Sequence, residues 1–186
     1  DFCLSRGLGD VYKRQLQEME SVDWIFIDPA RRDGRGGKTV AISDCEPDVS
    51  ALEDLLLEKA PHVLVKLSPM LDLALALHDL KHVQVAHIVS VNNECKELLL
   101  VLGRETHLSS EEVPIHCINL MTSQTTQCLL FTRQQEKEYS CPYTSTLKTY
   151  LYEPNASILK AGAFRSVSSI SVSYTHLRAH ETGRNL

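Results

Sequence analysis

The chain has 186 residues, of which 43% are hydrophobic and 23% charged, enough to bury a core in a domain of ordinary size and too apolar for a disordered chain. Nineteen basic residues against 24 acidic ones leave a net charge of −5, and only 6% are aromatic, which excludes nucleic-acid binding driven by bulk charge and argues against a stacking platform for single strands. No apolar run approaches the roughly 20 residues of a membrane span and no secretory signal pattern opens the chain, so a soluble, cytoplasmic protein without membrane contact is expected.

In chain order, the opening FCLSRGLGDVYKRQ (2–15) lacks convincing apolar periodicity and resembles translated sequencing-adaptor read-through. The closing VSYTHLRAHETGRNL (172–186) does the same. Both are set aside as non-native tails, expected to pack poorly, so that the natural part is a fragment beginning near residue 16. VDWIFID (22–28) is a continuous apolar run rich in Val, Ile, Phe and Trp, which predicts a strand buried on both faces. Pro29 stops it, and ARRDGRGGK (30–38) reads as a charged glycine-rich loop. Pro47-Asp48 opens a predicted helix through Lys59, with Leu52, Leu55 and Leu56 on one face. VLVKL (63–67) is a second buried strand broken at Ser68-Pro69, 70–80 a short apolar helix, and 83–91 a third strand.

Asn92-Asn93-Glu94 is a turn signal between two similar apolar runs, which favours 95–102 as the return arm of a hairpin over the helix its composition also allows. The alternation of strands and helices predicts an α/β fold with a parallel sheet. Residues 105–114 read as a linker, and IHCINLM (115–121) and CLLFT (128–132) as two strands of a separate antiparallel piece. After a polar connection, Asn155 caps a predicted short helix that ends at Ala161 before Gly162.

Two strand ends carry unusual chemistry, at the place where open parallel sheets bind ligands. At the first, Asp28 is held by a strand behind it and by Pro29 in front, and its carboxylate can accept a proton or a hydrogen bond from a substrate. Arg31 and Arg32 beside it could clamp a phosphate or carboxylate. At the second, Lys66 and Ser68 leave the neighbouring strand just before Pro69. Spacing alone leaves open the alternative that Asp28 only closes a strand and that the arginines are solvated. GRGGKT (34–39) ends like a phosphate-binding loop, but Arg32 stands where its first glycine belongs and VAIS (40–43) looks extended rather than helical. The six cysteines form no C-x-x-C pair and the histidines no ligand set, so free thiols and no metal are expected.

The stretches VDWIFIDPARRDGRGGKTVAISDCEPDVSALEDLLLEKAP, VLVKLSPMLDLALAL, HIVSVNNECKELLL and YLYEPNASILKAGAFRSV resemble a bacterial group of class I S-adenosylmethionine-dependent methyltransferases. In that group a Rossmann-like domain is followed by a small ferredoxin-like segment and a THUMP-like domain. The resemblance implies the C-terminal half of the methyltransferase sheet over 16–104, a ferredoxin-like segment over 105–148 and the start of a THUMP-like domain over 149–171. It places Asp28, Pro29 and Ala30 at the fourth motif of the family, as catalytic residues that line the pocket between methyl donor and acceptor, with Asp28 and Pro29 also touching the cofactor. Arg31, Arg32, Lys66, Ser68 and Pro69 become substrate-binding residues, S-adenosylmethionine the cofactor, and RNA the partner. Such enzymes hold the cofactor on a glycine-rich turn that precedes the DPAR strand, and none is found here outside the suspected tail, so the fragment itself is expected to be inactive. The alternatives are a non-catalytic RNA-binding or scaffold protein that kept the fold, and a small α/β hydrolase or phosphotransferase using Asp28.

Overall fold

A computed structural model describes residues 8–31, 41–122, 125–141 and 152–170. Helix α1 (Leu8–Glu18) leads into strand β1 (Trp24–Ile27). Two-residue strands β2 (Ala30–Arg31) and β3 (Cys45–Glu46) pair antiparallel. Helix α2 (Val49–Lys59), strand β4 (His62–Leu67), helix α3 (Leu73–Asp79) and the long hairpin of β5 (Val83–Val91) and β6 (Glu94–Gly103) follow. Strands β7 (Ile115–Leu120) and β8 (Gln127–Phe131) precede three short helices, α4 (Arg133–Glu138), α5 (Ala156–Ala161) and α6 (Phe164–Ile170).

Six strands form one sheet in the order β1-β4-β6-β5-β7-β8. Strand β1 runs parallel to β4, with Ile27 beside Val65. Strand β6 is antiparallel to both β4 and β5, and β7 is parallel to β5. Hence β1, β4, β5 and β7 point the same way, and their carboxyl ends share one edge. The expected hairpin is present, but its return arm β6 inserts between β4 and β5, so the sheet is mixed and these two parallel strands are not neighbours. A second correction concerns β7 and β8, expected as a separate antiparallel piece. They pair with each other, but β7 is hydrogen-bonded to β5 from Ala86↔Ile115 to Val91↔Leu120 and so continues the main sheet.

Alternation along the strands sends one set of side chains into the core. Val63, Val65, Leu98, Leu100, Leu102, Ala86, Ile88 and Cys117 are at most 1% exposed and form one cluster with Leu52 and Leu56 of α2, Ala76 and Leu77 of α3, and Ile158 of α5. Burying each leucine contributes about 1.5–3 kcal/mol. Asp48 caps α2 by accepting hydrogen bonds from the Ser50 and Ala51 amides at 3.0 and 3.3 Å, and Asp72 caps α3 through the Leu75 amide at 3.0 Å. Asn155 and Gly162 bracket α5 as expected, the glycine taking φ +69 at the helix end.

The opening segment departs from expectation. Residues 8–18 form a helix whose Tyr12 and Leu16 pack on the core, and the Lys59 ammonium donates to the Gln17 and Met19 carbonyls at 3.0 and 2.9 Å. The expectation for 172–186 falls outside the described residues, as does the glycine-rich stretch 34–39. Just beyond it, Ile42–Asp44 form a 3-10 turn where an extended chain was expected. Among the described residues no helix is long and apolar enough to cross a membrane.

Candidate functional site

Strand β1 is the edge of the sheet, and Asp28 is the residue at which it ends. The chain is pinned directly afterwards: Pro29 is buried, and Ala30 and Arg31 pair with Glu46 and Cys45. The backbone around Asp28 is therefore fixed from both sides. By alternation Asp28 shares a face with Trp24 and Phe26, opposite the helices.

On the neighbouring parallel strand, His62, Leu64 and Lys66 occupy that same face. The Lys66 ammonium lies 2.6 Å from Oδ2 of Asp28, which is half exposed. The two strand ends singled out from the sequence thus meet in one ion pair. The hydrogen bond to Asp28 is the main cause that raises the Lys66 pKa above its ordinary value, burial opposes it, and the Glu97 carboxylate adds to it. Glu97 comes from β6, where Leu98 sits opposite Leu67 and Leu99 opposite Lys66. Acid, base and acid therefore line the carboxyl edge on three adjacent strands, β1, β4 and β6.

Ser68 and Pro69 lie where the chain leaves β4. The Ser68 hydroxyl accepts from the Met70 amide at 3.3 Å and its carbonyl from the Leu71 amide at 3.1 Å, which turns the chain out of β4 toward α3. They shape the loop beside the ion pair. That loop is tied to the C-terminal region, since Lys160 of α5 donates to the Leu71 carbonyl at 2.7 Å. A second tie joins Asn93, at the tip of the β5–β6 hairpin, to the Ala156 amide at 2.7 Å.

The structure so brings together Asp28 and Lys66, with Pro29, Ala30 and Ser68 as their scaffold. Arg31 is placed by its backbone in β2, and Arg32 lies outside the described residues. Glu97 and Lys160 were missed by sequence reasoning. Glu97 had one signal: an acid interrupting an apolar hairpin arm, ECKELLL, has to face a partner or water. Two clefts of about 410 Å³ lie elsewhere, one between α3, α4 and α5 and the other beside His82 and Arg104. The ion pair instead stands on an open lip. Among the described residues no group of three or more His, Cys, Asp or Glu side chains is arranged to hold a metal ion.

This geometry can accept hydrogen bonds from, and attract, a cationic or N–H-bearing ligand at the carboxyl edge. A crystal structure of a "putative methyltransferase" from Porphyromonas gingivalis W83 matches with a TM-score of 0.72 and 40% sequence identity over 87% of this chain. The chain spans 38% of the length of that relative. A ferredoxin-like domain family matches residues 150–179. Among curated proteins the chain has no match. The mixed α/β sheet with its ferredoxin-like region is compatible with a Rossmann-like methyltransferase fold.

Proposed function

We propose that this chain is the carboxyl-terminal part of the catalytic sheet, with the region that follows it, of an S-adenosylmethionine-dependent methyltransferase acting on RNA. The observation that carries the reading is the Asp28–Lys66 ion pair at the carboxyl ends of two parallel strands, in a chain 40% identical to the Porphyromonas gingivalis protein. The RNA target rests only on the THUMP-like domain expected of that group, since residues 150–179, where its start was expected, match a ferredoxin-like domain family expected instead over 105–148.

S-adenosylmethionine supplies, when bound, a methyl group on a sulfonium, ready for displacement by a nucleophile in line with the breaking bond. Such a transfer depends on alignment and a dry pocket more than on acid–base chemistry. The residues present fit the acceptor side. Asp28 and Glu97 put negative charge where a sulfonium and a substrate N–H would both be attracted. Lys66 fixes the Asp28 carboxylate in direction, while Pro29 and the β2–β3 pairing fix its backbone. The cofactor side is not matched: among the described residues, helix α1 and not a strand with a glycine-rich turn precedes β1.

The test uses a longer polypeptide that carries this sequence. It should bind S-adenosylmethionine in calorimetry and methylate RNA, and Asp28→Ala should lower transfer by at least about 100-fold, the scale of a misplaced reacting group. Undiminished transfer by that variant removes Asp28 from the mechanism. Retention of RNA with no cofactor bound favours the non-catalytic reading instead.

A further inference from the structure

The hydrogen bond from Lys160 of α5 to the Leu71 carbonyl, 2.7 Å long, joins residues 89 positions apart and reaches the turn that follows Lys66. Strand β4 ends at Leu67 and α3 is capped by Asp72, so residues 68–71 are the whole connection between them. Within it the hydrogen bonds are local, from the Met70 amide to the Ser68 hydroxyl and from the Leu71 amide to the Ser68 carbonyl. The ladder of α3 begins with the Asp72 carbonyl, which accepts from the Ala76 amide at 3.0 Å. The Leu71 carbonyl stands one residue ahead of that ladder and takes its bond from an ammonium, a charge-assisted contact stronger than an amide would make. Lys160 forms no ion pair among the described residues, so no acid there competes with the carbonyl.

Helix α5 is fixed to the sheet at its other end. The Ala156 amide donates to Asn93 at 2.7 Å, the Asn155 side chain donates to Gln127 at 3.0 Å, and Ile158 packs in the core. Lys160 therefore reaches the turn from a firm platform. What the turn holds matters to the ion pair, because the β1–β4 ladder stops at Ile27↔Val65. Asp28 and Lys66 lie one step past it. On the β1 side the backbone is held there by Pro29 and the β2–β3 pairing. On the β4 side it is held by the pairing of Lys66 and Leu67 with β6 and by the 68–71 turn.

We propose that Lys160 is a positioning residue for the candidate site: by holding the 68–71 turn from α5, it fixes where β4 delivers Lys66 to Asp28. The ferredoxin-like family match covers 150–179, so the region that contains α5 belongs to the frame of the site. The placement of the pair is independent of the reaction, whereas its effect on methyl transfer rests on the function proposed above.

In this chain, Lys160→Met removes the ammonium and keeps a helix-favouring stem. It should speed amide hydrogen exchange at Leu71 by about 10-fold or more. It should also lower the order of the Lys66 ammonium, read by nitrogen relaxation in NMR, at least half as far as Asp28→Asn does. Lys160→Arg, which still donates to a carbonyl, should keep both near the parent values. Asn155→Ala is the control for loosened packing, since it removes the α5 cap on the Ile158 amide and leaves the ammonium in place. It should lower the melting temperature without changing the order of Lys66. An unchanged Lys66 in Lys160→Met overturns the proposal, as does equal loosening by Asn155→Ala. If Lys160→Met does not fold, Lys160→Gln is read by the same criteria. In the longer polypeptide, Lys160→Met should lower kcat by about 10-fold or more and leave the affinity for S-adenosylmethionine within about twofold, with Lys160→Arg restoring turnover. Full turnover by Lys160→Met there would also overturn the positioning role. A longer polypeptide without transferase activity would instead sink the methyltransferase reading, and the order of Lys66 would still decide the role of Lys160.

Discussion

Cys117 and Cys128 lie on neighbouring strands but on opposite faces, Cys117 pairing with Leu129 and Cys128 with Ile118. Cys117 is 1% exposed in the core, and burial, helped by Cys95 nearby, pushes its thiol up to about 12. A group with that value is ionised in about one molecule in ten thousand at pH 8, and only the thiolate attacks. Cys128 stands in water. Iodoacetamide at pH 8 should therefore alkylate Cys128 within minutes and leave Cys117 intact until the protein unfolds, as peptide mass spectrometry would show. Equal labelling of the two would contradict the burial of Cys117. The same contrast of faces separates the core leucines from Asp28 and Lys66: one step along a strand decides whether a side chain packs or reacts.

At the scale of elements, the β5–β6 hairpin shows how a short signal organises distant parts. Asn92 and Asn93 both adopt left-handed conformations, φ 47 and 64, as a two-residue hairpin turn requires. The Asn93 amide donates to Asn119 Oδ1 at 3.0 Å, and its own side-chain oxygen accepts from the Ala156 amide at 2.7 Å. Asn119 in turn donates to Gln127 at 3.0 Å, which also accepts from Asn155 at 3.0 Å. One turn so joins β7, β8 and α5. Asn93→Ala should cost about 2–3 kcal/mol in urea unfolding, from left-handed backbone strain and the lost bond. Asn93→Gly, which removes the strain alone, should cost about 1 kcal/mol. Similar losses for both variants would deny the backbone its part. This hairpin was legible because its turn residues and both apolar arms are local. The attachment of β7 to β5 was not, since nothing within 115–121 specifies a partner about 30 residues upstream, and packing decides it. Helices α4 and α6 escaped for a related reason. They are short and polar, and Glu136 of the first stabilises the second by accepting from the Arg165 and Ser166 amides, both at 2.8 Å. At the site, Asp28 and Lys66 were readable as strand ends, whereas Glu97 required the register of β6 against β4.

For the molecule as a whole, the sheet face opposite the packed helices ties stability to pH through groups that no local pattern distinguishes. His87 and His116 stand opposite each other at its centre, with ring centroids 4.9 Å apart. Burial lowers the His87 pKa below the ordinary histidine value of 6.5, and the neighbouring His116 lowers it further. The folded protein therefore resists protonating this ring more than the unfolded chain does. Above about pH 6.5 both states are neutral at this position and it has no effect; as pH falls from there through the lowered folded value, the unfolded state takes up the proton first and stability drops. Lys66 acts with the opposite sign at the other limit. Its raised value means that the Asp28 pair contributes at neutral pH and is lost as pH rises through that value in strongly alkaline solution. Thermal melts at pH 7.5, 6.0 and 5.0 should accordingly show a declining midpoint on the acid side. His87→Leu should flatten the decline by a few degrees while leaving the pH 7.5 value nearly unchanged, since leucine suits a half-buried apolar position. An undiminished slope in that variant would assign the acid sensitivity to other groups.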